Sequence, residues 1–202
     1  MSETTSPAPS RRDEQKRRTT IALREAALQL FATRGFDATT TEEIAERAGV
    51  AVRTFFRYFP TKESVLFSSE TTWVRAAADV YLAQPEGVRD LDALCEAVVS
   101  AAPRLARARE TLFLYKRAIT TSLVLQGRAQ EGQRMDSALV AGAIATRHGL
   151  ARPDARCHLL ADVVFVIYGR ALDSWLEGSA SADLGTAIRR EFALLESVLA
   201  AE

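Results

Sequence analysis

Apolar positions recur at helical spacing along almost the whole chain. Leu23, Ala26, Ala27, Leu30 and Phe31 fall at i, i+3, i+4, i+7 and i+8 and predict an amphipathic helix from about Thr19, stopped by Gly35. Thr40, with Glu43 three positions on, forms a capping-box pattern that predicts a short helix through Ala48, closed by Gly49. Val52, Phe55, Phe56 and Phe59 then recur at +3, +4 and +7, and Pro60 pushes Phe59 out of the helical region, which bounds a second short helix. Two helices of about eight residues around a glycine turn have the proportions of a helix-turn-helix.

Beyond Pro60, Thr61 is placed to cap a long helix through Val65, Leu66, Trp73 and Ala77 to about Leu82, with Gln84-Pro85-Glu86-Gly87 as its break. Helical stripes follow at Leu91, Leu94, Cys95, Val98 and Val99, then over Leu112–Leu125, then at Met135, Leu139, Val140 and Ile144, with Pro103, Gly132 and Gly149 as expected interruptions. Pro153 and Asp154 open a strong helix carrying Leu159, Leu160, Val163, Val164, Ile167, Tyr168, Leu172 and Trp175, stopped at Gly178. A last helix carries Leu184, Ile188, Phe192, Leu195 and Leu199. No segment alternates with period two, so the expected fold is all-α.

Composition narrows the class. At 202 residues, 48% hydrophobic and 26% charged, the chain can bury a core and is neither low-complexity nor wholly disordered. Met1–Ser10 carries no large apolar residue after Met1 and is expected to be a disordered tail that continues into the bases of Arg11–Arg18. Net charge is zero, but unevenly spread: the chain up to Phe67 has 11 Lys/Arg against 9 Asp/Glu. Two windows are locally basic: Arg11–Arg18, with five bases and two acids, and Arg47–Lys62, with four bases and no acid. Such clusters suit a phosphate-facing module joined to a neutral body. No apolar leader or membrane-length run is present, so a soluble cytoplasmic protein is expected. Cys95 and Cys157 lie in apolar periodic segments, as buried small hydrophobes do. Catalysis is not expected, nor is a metal or cofactor. The two histidines are His148 and His158, His158 adjoins Cys157 at about 100° around the helix, and no glycine-rich phosphate loop, zinc signature or nucleophile elbow appears.

The run from Gly35-Phe36 through Thr39-Thr40-Thr41, Ile44-Ala45, Ala48-Gly49-Val50 and Tyr58-Phe59 to Lys62-Glu63 resembles the DNA-binding segment of TetR-family transcriptional regulators. The resemblance covers about residues 19–66. It implies a three-helix DNA-binding domain, followed over residues 67–202 by a larger helical ligand-binding and dimerisation domain, with residues 1–18 as a basic tail or arm; Arg11–Arg18 is either an arm that enters the minor groove or a solvated helix start. It also implies that Thr40 and Thr41 contact phosphate, and that Tyr58 and Lys62 hold the other side of the backbone. The residues themselves give a platform core of Leu30, Phe31, Ile44, Ala48, Val50, Phe55 and Phe59. Its second short helix offers Val52, Arg53, Thr54, Phe56, Arg57 and Tyr58 to the groove. Arg53 alone combines position with a bidentate fork suited to guanine, so it is the expected specificity residue. Arg57 either joins it or pairs with a carboxylate. The chain departs from the family in having Arg53 where glycine is common and Phe56 where tyrosine is common.

For the remainder, the resemblance implies a homodimer on a palindromic double-stranded operator and a small-molecule effector that releases it, in the family's usual mode of repression. The last two helices are the expected dimer axis, since the one from Pro153 is apolar on more than one face. Trp73, Tyr81, Phe113, Tyr115 and Phe165 are the expected ligand-binding residues, set against an ordinary core role, and the expected effector is apolar. The stretch Ala102–Arg109 resembles actinobacterial regulators that sense acyl-CoA thioesters. Arg104, Arg107 and Arg109 either bind a coenzyme's phosphates at a pocket mouth or form a solvated charge face. The rival function is a protein-interaction module that keeps the helix-turn-helix shape without binding DNA.

Overall fold

A computed structural model describes residues 10–67, 72–179 and 181–201. All of its regular elements among these residues are helices. They group into two compact units, one of residues up to 67 with 114–126, the other of residues 72–113 with 127–201.

The first unit begins with α1 (Arg11–Arg34), whose N-cap Ser10 accepts the Asp13 N–H. Of the two readings of Arg11–Arg18, the structure has the solvated helix start. Asp13 and Glu14 in the first turn complement the helix dipole, and Glu14 lies 3.1 Å from Arg18 and 3.7 Å from Arg17, so these residues are helix rather than disordered tail. Residues 1–9 of the expected tail lie outside the described residues. Leu23, Ala27 and Phe31 on α1 are fully buried, and Gly35 ends it at φ 89°, in the region only glycine enters freely. Next come α2 (Thr41–Arg47), α3 (Val52–Tyr58) and α4 (Ser64–Phe67). Between α2 and α3, Gly49 takes φ 68° and the Val50 N–H reaches the Ala45 carbonyl at 2.9 Å, which closes the turn of the helix-turn-helix. Phe31, Phe36, Ile44, Phe55 and Phe59 pack into one core with Val65 and Leu66. Ala118 and Leu125, both wholly buried, complete that core from the segment 114–126, which the sequence reading had assigned to the other domain.

The second unit contains α5 (Thr72–Leu82), α6 (Asp90–Arg107), α9 (Ala155–Glu177) and α10 (Leu184–Ala200). It also holds the start of α7 (Arg109–Thr120) and most of α8 (Leu123–Arg147), each of which runs from one unit into the other. Two expected interruptions do not break helices. Pro103 lies inside α6, where buried Ala101, Ala102 and Leu105 hold the backbone on both sides against a penalty of about 3 kcal/mol. Gly132 lies inside α8, whose later turns are anchored by buried Val140, Ala141 and Ile144. Gly149, at φ 66°, does follow the end of α8. The apolar run expected over Leu112–Leu125 is two helices, parted at Thr121–Ser122.

Asp154 caps α9 by accepting the Cys157 N–H at 2.9 Å, and Asp183 caps α10 by accepting the Thr186 N–H at 2.7 Å. The other end of α9 is capped by Arg109. Its guanidinium donates to the carbonyls of Trp175, Leu176, Gly178 and Ser179 at 2.8–3.1 Å and lies 4.9 Å over the Trp175 ring.

Candidate nucleic-acid interface and effector cavity

The reading face is built on α2 and α3. Thr40 is the N-cap of α2: its hydroxyl accepts the Glu43 N–H at 3.2 Å and its own N–H reaches Glu43 Oε2 at 2.9 Å, the capping box expected from sequence. Glu43 also accepts from Arg34 at 2.8 Å, and these donors hold its carboxyl below the usual range. The Thr41 hydroxyl donates to Glu42 at 3.1 Å, so a carboxylate stands beside the threonine edge, a feature the sequence reading did not weigh.

On α3, Phe55 is buried while Arg53, Phe56 and Arg57 are exposed, with Thr54 between these extremes. Phe56, 51% exposed, stands edge-on to Phe55 at 5.4 Å. The Arg57 guanidinium rests 5.3 Å over the Tyr58 ring, with no ion pair to a carboxylate among the described residues. Val52 and Tyr58 are only half open, since both pack against the unit's core; in that respect they differ from the outward face expected of them.

Lys62, expected at the phosphate backbone, donates its Nζ to the carbonyls of Phe36 and Thr39 at 2.7 and 2.8 Å and sits 4.1 Å over the Phe36 ring. Two of its three N–H donors are therefore committed to the loop before α2. The same loop has a partner with no local signal in the sequence. The Phe36 N–H reaches Thr121 Oγ1 at 3.2 Å, across 85 positions of chain.

In the second unit Trp73, Val74, Ala77, Ala78, Tyr81, Leu94, Ala97, Val98, Val140, Ala143, Val164 and Phe165 surround an apolar cavity of only about 20 Å³, room for about one water. Trp73, Tyr81 and Phe165 thus share one site, with Trp73 and Phe165 6.3 Å apart and edge to face. Phe113 and Tyr115 do not join them. Phe113 is 44% exposed, and Tyr115 belongs to the first unit, edge-on to Phe67 at 6.1 Å, because helical rotation separates residues two apart. The polar end of Tyr81 leaves the cavity: its hydroxyl donates to Asp90 at 2.7 Å, and Asp90 also meets His148 and Arg156. Desolvation and this carboxylate raise the phenol well above its ordinary range. Arg109, capping α9, is not at the mouth of this cavity as a phosphate ligand, and Arg107 is exposed.

Comparison with known proteins places this geometry. Residues 23–68 match the family described as bacterial regulatory proteins, tetR family, and residues 88–200 match the MftR C-terminal domain. The transcriptional regulator TcmR of Streptomyces glaucescens is 39% identical over 90 residues, a match that covers 43% of this chain and only 38% of TcmR. Among solved structures, the fatty acid degradation regulator FadR of Bacillus halodurans aligns over 95% of this chain and 96% of its own, with TM-score 0.59 at 19% identity. FadR of Thermus thermophilus, a TetR-family repressor solved with lauroyl-CoA, aligns over 88% and 93%, with TM-score 0.55 at 23% identity. These two share the fold. The matched families and relatives regulate transcription and are not enzymes. With a helix-turn-helix at one end and a matching regulatory domain over more than half its length, the chain belongs to the TetR family of bacterial regulators.

Proposed function

We propose that this chain is a cytoplasmic, ligand-responsive repressor that binds a palindromic operator as a homodimer and is released by a small apolar effector. The observation that carries the reading is α3: a short helix on a packed aromatic platform, with Arg53, Thr54, Phe56 and Arg57 turned outward and no acidic residue on it. In this reading Arg53 addresses a base edge, Phe56 a thymine methyl, and Thr40, Thr41, Arg57 and Tyr58 the backbone. Lys62 then serves the phosphate edge through the loop it pins.

A single helix-turn-helix makes few contacts, which favours a two-fold assembly. Leu159 and Val166 on α9 and Leu194, Val198 and Leu199 on α10 are exposed and apolar, as a self-complementary face requires. Among the described residues no helix is long and apolar enough to cross a membrane. The effector reading rests on the cavity, whose walls are apolar side chains. At about 20 Å³ that space is too small for an acyl chain, so an effector would have to part its walls; lauroyl-CoA is the ligand in the Thermus thermophilus relative. Arg109 lends a coenzyme's phosphates no support, so the cavity favours the apolar part of such a molecule. Effector coupling of ~1–3 kcal/mol would lower operator affinity by about 5 to 150-fold.

Selection of duplexes from a random pool on the purified chain tests the reading. The expected product is a palindrome bound by two copies, with affinity falling steeply as salt rises. Failure to enrich any sequence, or binding indifferent to salt, would favour a protein-interaction module instead.

A further inference from the structure

The loop Gly35–Thr40 sets where α2 starts, and two long-range side chains hold it. Thr39 is 1% exposed, and its hydroxyl donates to the Gly35 carbonyl at 2.8 Å. Lys62 gathers the carbonyls of Phe36 and Thr39. In the preceding peptide unit, Thr121 Oγ1 takes the N–H of the same residue, Phe36, at 3.2 Å. The Thr121 hydroxyl proton is directed elsewhere, to the Ala118 carbonyl at 2.7 Å, which leaves an oxygen lone pair for Phe36. Phe36 itself cannot drift: its ring is buried and edge-on to Phe31 at 5.1 Å.

We infer that Thr121 is a positioning residue for DNA recognition: through the Phe36 peptide and Lys62, its hydroxyl fixes the loop that presents Thr40 and Thr41 to phosphate. The inference rests on the DNA-binding reading above and adds to it a residue outside the helix-turn-helix. Thr121 lies at the junction of α7 and α8, and α8 continues in the chain to Val140 and Ala143 of the effector cavity. A shift of that junction therefore changes a hydrogen bond at the edge of the reading face. The coupling is a free energy, so the test is energetic.

The full chain is compared with Thr121→Val, Thr121→Ser, Lys62→Met and the Val/Met double variant, on the duplex selected by the wild type and on a scrambled duplex. Thr121 is exposed, so its valine variant retains the fold, which circular dichroism checks. Loss of one neutral hydrogen bond in each copy is expected to lower affinity by on the order of tenfold. The loss should be equal on both duplexes, because the affected contacts are to backbone and not to bases. Serine should restore binding, and the double variant should lose less than the product of the single losses. Faster hydrogen exchange at the Phe36 amide of the valine variant, measured without DNA, is the companion readout. Wild-type affinity in Thr121→Val, a loss confined to the selected sequence, or no rescue by serine would each overturn the inference while leaving the DNA reading intact. If the wild type enriches no duplex, both fall.

Discussion

The two units solve opposite packing problems. The reading unit fills its interior with large side chains, Phe31, Phe36, Phe55 and Phe59, whose rings meet edge to face or tilted at 5.1–5.6 Å, and fastens its outer loop with Lys62 and Thr121. The second unit sets small residues, Ala77, Ala78, Ala97 and Ala143, between Trp73, Tyr81 and Phe165, and leaves only about 20 Å³ unfilled. A surface that must fit a groove gains from an interior locked by interlocking rings, whereas helices that meet across small side chains have fewer interlocked groups to unpack when they part.

The sharpest break of that contrast is Phe55→Ala, which removes a fully buried ring from the reading unit. It should cost about 3–5 kcal/mol in urea unfolding and abolish duplex binding. Arg53→Ala should leave stability unchanged and remove about 1–3 kcal/mol of discrimination between the selected operator and single-base variants, read by competition binding.

Asp136→Asn probes the effector unit through pH. Burial pushes the Asp136 carboxyl up to about 6 from 3.8. The native state therefore holds the proton more tightly, and stability is fully present below pH 3.8 and lost as pH rises through about 6. The asparagine variant should be more stable than the wild type at pH 7, by on the order of 1–2 kcal/mol after allowance for partial exposure, and equal to it at low pH. Thr40→Ala should cost about 1 kcal/mol through loss of the capping box.

What the sequence disclosed follows the range of the forces involved. The capping box at Thr40, the glycine turn at Gly49 and the stop at Pro60 act over a few residues, and the structure has each where its pattern lies. Trp73, Tyr81 and Phe165, singled out as aromatic residues of the body, do lie around one small apolar space. Periodicity could not separate Phe113 and Tyr115 from them, since it marks an apolar face without naming the unit that face meets. Nor could it show that Lys62 spends its donors on Phe36 and Thr39, or that Thr121 meets Phe36: such pairings arise only once distant segments pack. In the basic leader the charge count left helix start and arm both open, and it is the placement of Asp13 and Glu14 in the first turn, after the Ser10 cap, that makes it helix.

Ala118 and Leu125 seal the interior of the reading unit from a point some fifty residues downstream of α4. A fragment cut after residue 67 would lack that seal, and its aromatic rings would face water where those two side chains belong. The DNA-reading head of this chain is thus no detachable cassette: grafted onto a foreign body, it would have to carry the later hairpin along or find a substitute for it.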